Sequence, residues 1–335
     1  MNARLRDWIP GGYRLERKFR VALGRRFLVD LGDDHRKNIY IAGTGRSGTT
    51  WLSELVNHRN TYRQIFEPFH PNSPVGPVFP RHLYLRADDP DGLRLRAAQR
   101  VLHGQIRGLH VDRFNKRLIS SRRVIKDISS NLFLKWLHVH FPGMPFILII
   151  RHPCAVLQSQ LNVGWEDWRD KFEGMLEQQP LVQDHLEPFI PELKRLQQGF
   201  EQNVAIWCIQ NYVPLVQFGR DEIHVVFYEN LCIQPEQELR KLMAFLGLRF
   251  DPHILGSVRQ ASFMALAGSA VQRGTALVDG WKDHLPGAHV RRAMEIVAMF
   301  GLDKIYSEDP MPSPDAIAPF VSGAVTAPPA SVPTF

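Results

Sequence analysis

Four short apolar runs punctuate the 335-residue chain, and each stops at a polar or charged cluster. They are "NIYIAG" at 38–43, "RVIKD" at 123–127, "PFILIIRHP" at 145–153 and "EIHVVFYEN" at 222–230. Strands buried on both faces read as unbroken apolar runs of this kind. Between the runs, apolar residues recur at helical spacing, as in "LFLKWLHVHF" after the second and "PEQELRKLMAFLGL" after the fourth. Strands alternating with helices predict an α/β fold, a three-layer sandwich around a central parallel sheet. Ligands of such sheets gather at the carboxyl ends of the strands. The residues just after each run are therefore the ones to inspect.

The flanks have a different texture. Residues 1–37 hold ten Lys/Arg against five Asp/Glu, with Leu15, Phe19, Ala22, Leu23 and Phe27 at helical spacing. This segment is expected to be helical, packed on the domain edge or lying on a membrane surface through residues 1–30. The domain itself is expected over 38–305, with a helical, polar stretch at 166–220 punctuated by Pro180, Pro188 and Pro191. The tail 306–335 is rich in Pro, Ala and Ser, has no helical or strand period, and is expected to be disordered. No run reaches the roughly 20 apolar residues that span a bilayer, and the N-terminus has no apolar signal core. A cytoplasmic protein is expected.

Composition narrows the chemistry. The three cysteines Cys154, Cys208 and Cys232 are odd in number and widely spaced, which reads as reduced core thiols. Fourteen histidines form no HExxH or similar cluster, so no metal site is expected. A net charge of +7 favours an anionic partner. Three readings follow: an enzyme acting on a phosphorylated or sulfated nucleotide, a nucleotide kinase, or a basic module for nucleic acid or membranes.

The first run leads into "GTGRSGTT", Gly43 to Thr50. It keeps both glycines of the Walker pattern, Gly43 and Gly48, and Thr50 fills the Ser/Thr position. The lysine position is Thr49. Backbone N–H groups of such a P-loop-like loop converge on an anion, helped by the following helix N-terminus. That part works without lysine. The third run ends in Arg151 and His152, not in the acid that would hold magnesium. Arg151 stands eight residues before Ser159, and Pro153 suits the first turn of a helix between them. An arginine and a hydroxyl suit a second phosphate. Two phosphate sites without lysine or metal acid point to a nucleotide phosphorylated at both its 5′ and 3′ positions, with no nucleic-acid partner.

With these motifs in order, residues 38–285 resemble the sulfotransferases that use 3′-phosphoadenosine 5′-phosphosulfate. "RSGTTW" at 46–51 matches the family's 5′-phosphosulfate loop, Arg151 with Ser159 its 3′-phosphate motif, and "VVFYENLCIQPEQELRKLMAFLGL" its third region. "QRGTALVDGWKDHL" at 272–285 loosely matches a C-terminal segment. The resemblance implies that Arg46 stabilises charge during sulfuryl transfer and that Gly45, Ser47, Gly48, Thr49 and Thr50 cradle the phosphosulfate. Trp51 would stack on adenine, with Phe263 on its other face and Tyr228 nearby. Arg273 and Gly274 would reach the 3′-phosphate. Such a donor requires no metal.

The base is less directly matched. Cytosolic members carry histidine two residues after a lysine; here Lys126 is present and Ile128 replaces the histidine. Lys126 is a candidate contact to the phosphosulfate. Carbohydrate and tyrosylprotein members carry arginine in the loop and a glutamate after its helix, and "IFEPFHP" supplies Glu67. Glu67 is the candidate base, with His70 as rival. Burial would raise its pKa and Arg46 would lower it. The resemblance implies a carbohydrate hydroxyl as acceptor, with a small-molecule or lipid hydroxyl as alternative. Trp165, Asp167 and Trp168 are candidates for the acceptor cleft.

Overall fold

The computed structural model describes residues 28–165, 168–258 and 278–321. Among these, the strands are β1 (Val29–Asp30), β2 (Ile39–Gly43), β3 (Arg63–Phe66), β4 (Ile119–Ser120), β5 (Arg123–Asp127), β6 (Phe146–Ile150) and β7 (His224–Phe227). The main helices are α1 (Thr49–Val56), α2 (Leu134–His140), α3 (Pro153–Leu161), α4 (Phe200–Gln217), α5 (Tyr228–Ile233), α6 (Pro235–Phe245) and α7 (Gly287–Met299). Five strands form one parallel sheet in the order β3-β5-β2-β6-β7, and β1 pairs with β4 in a separate two-stranded ribbon. All pairings in the sheet are parallel.

The unbroken apolar runs serve both faces, because successive strand residues point to opposite sides. Ile39, Ile41, Ile147, Ile149 and Val226 pack with Leu52 and Leu55 of α1 and Leu239 and Leu242 of α6. Tyr40, Ala42, Phe146, Leu148 and Ile150 pack on the other side, with Trp136 of α2 and Ile209 and Val213 of α4. The expected three-layer sandwich results.

The register levels the carboxyl ends of the strands: Phe66 pairs with Lys126, Ala42 with Asp127, Gly43 with Ile149 and Ile150 with Phe227. Thr44, Glu67, Ile128, Arg151 and Tyr228 therefore leave the sheet along one edge, where ligands of parallel sheets bind.

Several expectations need correction. Within 166–220, α4 is not polar; it buries most of its length, including Val204, Trp207 and Val213. Pro214 lies inside it. A proline cannot donate to the carbonyl four residues back, and the Gln210 carbonyl instead accepts from Asn131 Nδ2 at 3.0 Å. The domain does not end at Ile305. His152 Nε2 lies 2.9 Å from the Ser307 carbonyl, Tyr306 and Phe320 are buried, and 314–321 forms short helical turns. Residues 28–37 form β1 and a short 3-10 turn at His35–Lys37. The segments 1–27 and 322–335 lie outside the described residues.

Candidate active site

The loop after β2 makes two left-handed steps, Arg46 at φ 77° and Gly48 at φ 95°. Glycine adopts such backbone freely, and a Cβ at Gly48 would also sit 2.6 Å from Tyr228 Cδ2. Ser47 closes the turn, with its N–H and hydroxyl both donating to the Thr44 carbonyl at 3.1 and 2.6 Å. The first helical N–H bond is Leu52 to Gly48, and no side chain caps α1. Its opening N–H groups, on Thr49, Thr50 and Trp51, thus lack helical acceptors. This is an anion cradle with its donors in place.

Two arginines meet at this cradle. Arg46 Nε donates to Ser159 Oγ at 2.9 Å, and Arg151 Nη1 donates to the Arg46 carbonyl at 3.1 Å. The loop and the strand-end motif are thereby one site. The Arg151 guanidinium lies 4.3 Å over the Tyr228 ring, and Trp51 meets that ring edge-on at 5.5 Å. Trp207 Nε1 holds the Arg151 carbonyl at 3.1 Å. Burial and the neighbouring Arg151 charge lower the pKa of Arg46. Thr44 Oγ1, Trp51 Nε1 and Arg151 Nε are buried without hydrogen-bond partners among the described residues. Buried polar atoms are normally satisfied, so these three mark polar capacity that an anionic ligand would fill.

A carboxylate sits on the adjoining strand ends. Glu67, at φ 44°, accepts from Lys126 Nζ at 2.5 Å, and its N–H donates to the Lys126 carbonyl at 2.6 Å. Burial pushes the Glu67 carboxyl up, but Lys126, with His110 and His70, outweighs it and holds the group below its ordinary value. Of the two influences expected, burial and Arg46, the second is replaced by Lys126. His110 Nε2 stands 3.9 Å from Glu67 Oε2, and its ring stacks on His70 at 4.6 Å. Burial and the proximity of His70 lower His110 to about 4. His70 is lowered chiefly by burial, and its Nδ1 accepts the Asn72 N–H at 3.1 Å.

Residues 38–252 match a family model described as "Sulfotransferase family". The chain belongs to this family. It is 26% identical over 254 residues to nodulation protein NoeE of Sinorhizobium fredii, covering 70% of this chain and 55% of NoeE. It thus spans about half the length of that curated relative. Among solved structures it is similar to the sulfotransferase domain of the Synechococcus PCC 7002 olefin synthase, at 19% identity and a TM-score of 0.44, covering 78% of this chain and 94% of that one. It is also similar to mouse sulfotransferase SULT7A1 complexed with PAP, at 12% identity and a TM-score of 0.44, covering 84% and 89%.

In this member of the family, the sequence motifs converge as far as they are described. Gly45, Arg46, Ser47, Gly48, Thr49, Thr50, Trp51, Arg151, Ser159 and Tyr228 surround the cradle, and Glu67 pairs with Lys126. Lys126, a candidate phosphosulfate contact, has its ammonium on Glu67 and 4.5 Å over the Phe66 ring. Phe263, Arg273, Gly274 and Asp167 lie outside the described residues. Trp165 reaches the loop: a Cβ at Gly45 would lie 2.5 Å from its Cζ3 and 3.4 Å from Ile128 Cδ1. Ile128, which stands where cytosolic members carry histidine, therefore faces the loop.

Two residues escaped the sequence reading. His110 comes from a loop with no apolar period. Asp127 is a strand-end acid beside β2, on β5 rather than on the β6 run. Its oxygens accept the N–H groups of Phe69 at 3.1 Å and Ser129 at 2.6 Å, and burial raises it to about 6. The difference from a magnesium-nucleotide site thus lies in the missing lysine and in an acid committed to backbone donors, not in the lack of an acid.

Proposed function

We propose that this sulfotransferase moves a sulfuryl group from 3′-phosphoadenosine 5′-phosphosulfate to a carbohydrate hydroxyl, without a metal. The observation that carries the proposal is the junction of Arg46, Ser159 and Arg151 at an uncapped helix N-terminus, beside the ionised Glu67. The orphaned atoms of Thr44, Trp51 and Arg151 fit an anionic nucleotide there. The loop N–H groups and the threonines hold the 5′-phosphate end. Arg151 and Ser159 hold the 3′-phosphate through charge-assisted bonds. Trp51 and Tyr228 supply the aromatic wall for the base.

Glu67 takes the proton of the acceptor hydroxyl while that oxygen bonds to sulfur. The bond from sulfur to the bridging oxygen breaks, and Arg46 stabilises the charge left on the phosphate. A carbohydrate acceptor is supported by Arg46 with Glu67, and by Trp165, whose half-buried ring reaches the loop at Gly45.

Transfer of radiolabelled sulfate across glycan, lipid and phenol acceptors tests the reading. Glycan labelling is expected, and labelling of phenols or lipids alone would reassign the acceptor. 3′,5′-bisphosphoadenosine should raise the melting temperature and Mg-ATP should not; the reverse would favour a kinase. Arg46→Ala should lower kcat about 10²–10³-fold, the usual cost of losing one such donor, while binding of the bisphosphate persists. Undiminished transfer would remove Arg46 from the chemistry.

A further inference from the structure

The described residues expose four large apolar side chains at one place: Val29 (43%), Leu31 (70%), Leu118 (40%) and Ile119 (56%). Val29 and Ile119 lie on the β1–β4 ribbon and Leu31 and Leu118 flank it; Val29 stands opposite Ile119 and its N–H bonds the Leu118 carbonyl at 2.7 Å. Beside them opens a cavity of about 750 Å³ with Leu31 and Ile119 on its wall. Arg36, Lys37, Arg117 and Arg122 line it, and no acidic side chain does. The nearby acids are Asp30, buried between Arg63 and Arg123, Asp34, bonded to Arg36, and the exposed Asp33. The other lining residues include Asn38, Ile39 and Tyr62, at the starts of β2 and β3. This edge is opposite the one that carries Arg46 and Glu67.

Exposed apolar residues rimmed by one sign of charge mark an interaction surface. We infer that this edge docks on an anionic lipid bilayer. The ribbon's apolar side chains enter the boundary between headgroups and acyl chains, and the four basic side chains meet lipid phosphates. Charge also argues against residues 1–27 as the occupant. That segment has eight Lys/Arg against two Asp/Glu, so a basic cavity repels it. The rest of the chain is nearly balanced, with 33 Lys/Arg against 32 Asp/Glu. The chain's net charge of +7 is thus concentrated in residues 1–27, which precede the ribbon in sequence. Docking here leaves the catalytic edge of the sheet open.

The test is sedimentation of the full-length chain with phosphatidylcholine vesicles, with and without phosphatidylglycerol. The wild type is expected to bind only the vesicles containing phosphatidylglycerol. Leu31→Ser with Ile119→Ser, and separately Arg36→Glu with Lys37→Glu, should each weaken binding about tenfold or more. Both should leave the affinity for 3′,5′-bisphosphoadenosine unchanged. The inference is overturned if the wild type ignores the vesicles, if either double variant binds as tightly as the wild type, or if the protein captures inorganic phosphate but no vesicles. An Ile119→Cys thiol shielded from reagent in vesicle-free protein would show the ribbon already covered, by the chain or a second copy, and would overturn it too.

Discussion

At the scale of single residues, the proposed role of Glu67 as the base implies a definite pH dependence. Lys126 holds its carboxyl below the usual range, and His110 is neutral above about pH 4. Neither group changes charge between pH 5 and 8. The acid limb of kcat/KM should therefore fall below pH 5. A limb near 6.5 that vanishes on replacing His70 or His110 would move the base to a histidine. Lys126→Met leaves burial as the dominant influence on Glu67, so the acid limb should move upward, whatever happens to its height. An unmoved limb would show that Lys126 does not set the ionisation of the base. The sequence placed Glu67 and Lys126 separately, one by its position after the loop helix and one by a lysine match. It held no sign that they would pair, because parallel pairing of β3 with β5 is a long-range contact. His110 was not legible for the same reason.

At the scale of elements, β3 and β5 begin with arginines that pair directly, Arg63 opposite Arg123. Both side chains are fully buried. Like charges facing each other across strands are destabilising, and Asp30 of β1 relieves this by bonding both. Arg63 also binds Asp112 and the Gly104 carbonyl, at 2.9 and 2.6 Å, and Arg123 binds the Leu102 carbonyl at 3.0 Å. Asp30→Ala should destabilise the protein by about 3–5 kcal/mol, the cost of stranding a buried charge. Denaturant unfolding measures it, and a loss below about 1 kcal/mol would mean that the carbonyls and Asp112 suffice. Four of the five strands of the sheet, β2, β5, β6 and β7, were legible because apolar runs advertise burial on both faces. β3 was not: "RQIF" opens with two polar residues whose burial depends on Asp30 and Asp112, distant in sequence, and on Ser53 of the preceding helix. α4 was misjudged as polar because Asn203, Gln210 and Asn211 on it are buried, each donating a side-chain hydrogen bond inside the fold rather than facing solvent.

At the scale of the whole molecule, the chain after Ile305 closes back onto the active-site strands. His152, next to Arg151, stacks on Trp281 at 4.5 Å, and its Nε2 lies 2.9 Å from the Ser307 carbonyl. Its Nδ1 accepts the Cys154 N–H at 3.2 Å, which places the proton on Nε2. Glu229 takes the His152 N–H and the Tyr306 hydroxyl, both at 2.8 Å. Burial lowers His152 to about 4, against about 6.5 in an unfolded chain. Between those values the unfolded state binds the extra proton, so stability is present above about pH 6.5 and is lost as pH falls toward 4. The shift corresponds to about 3 kcal/mol for this one group. Glu229 works the other way, because burial raises its carboxyl, and the folded state takes up its proton first. The histidine must therefore be isolated by substitution. His152→Gln should be less stable at pH 7 but should lose less stability between pH 6.5 and 4, measured as the guanidinium midpoint at each pH. Because His152 anchors the strand end that presents Arg151, the same variant should bind 3′,5′-bisphosphoadenosine more weakly at pH 7. An unchanged pH slope would show that His152 keeps its ordinary titration, and that the C-terminal segment is not held through a neutral imidazole.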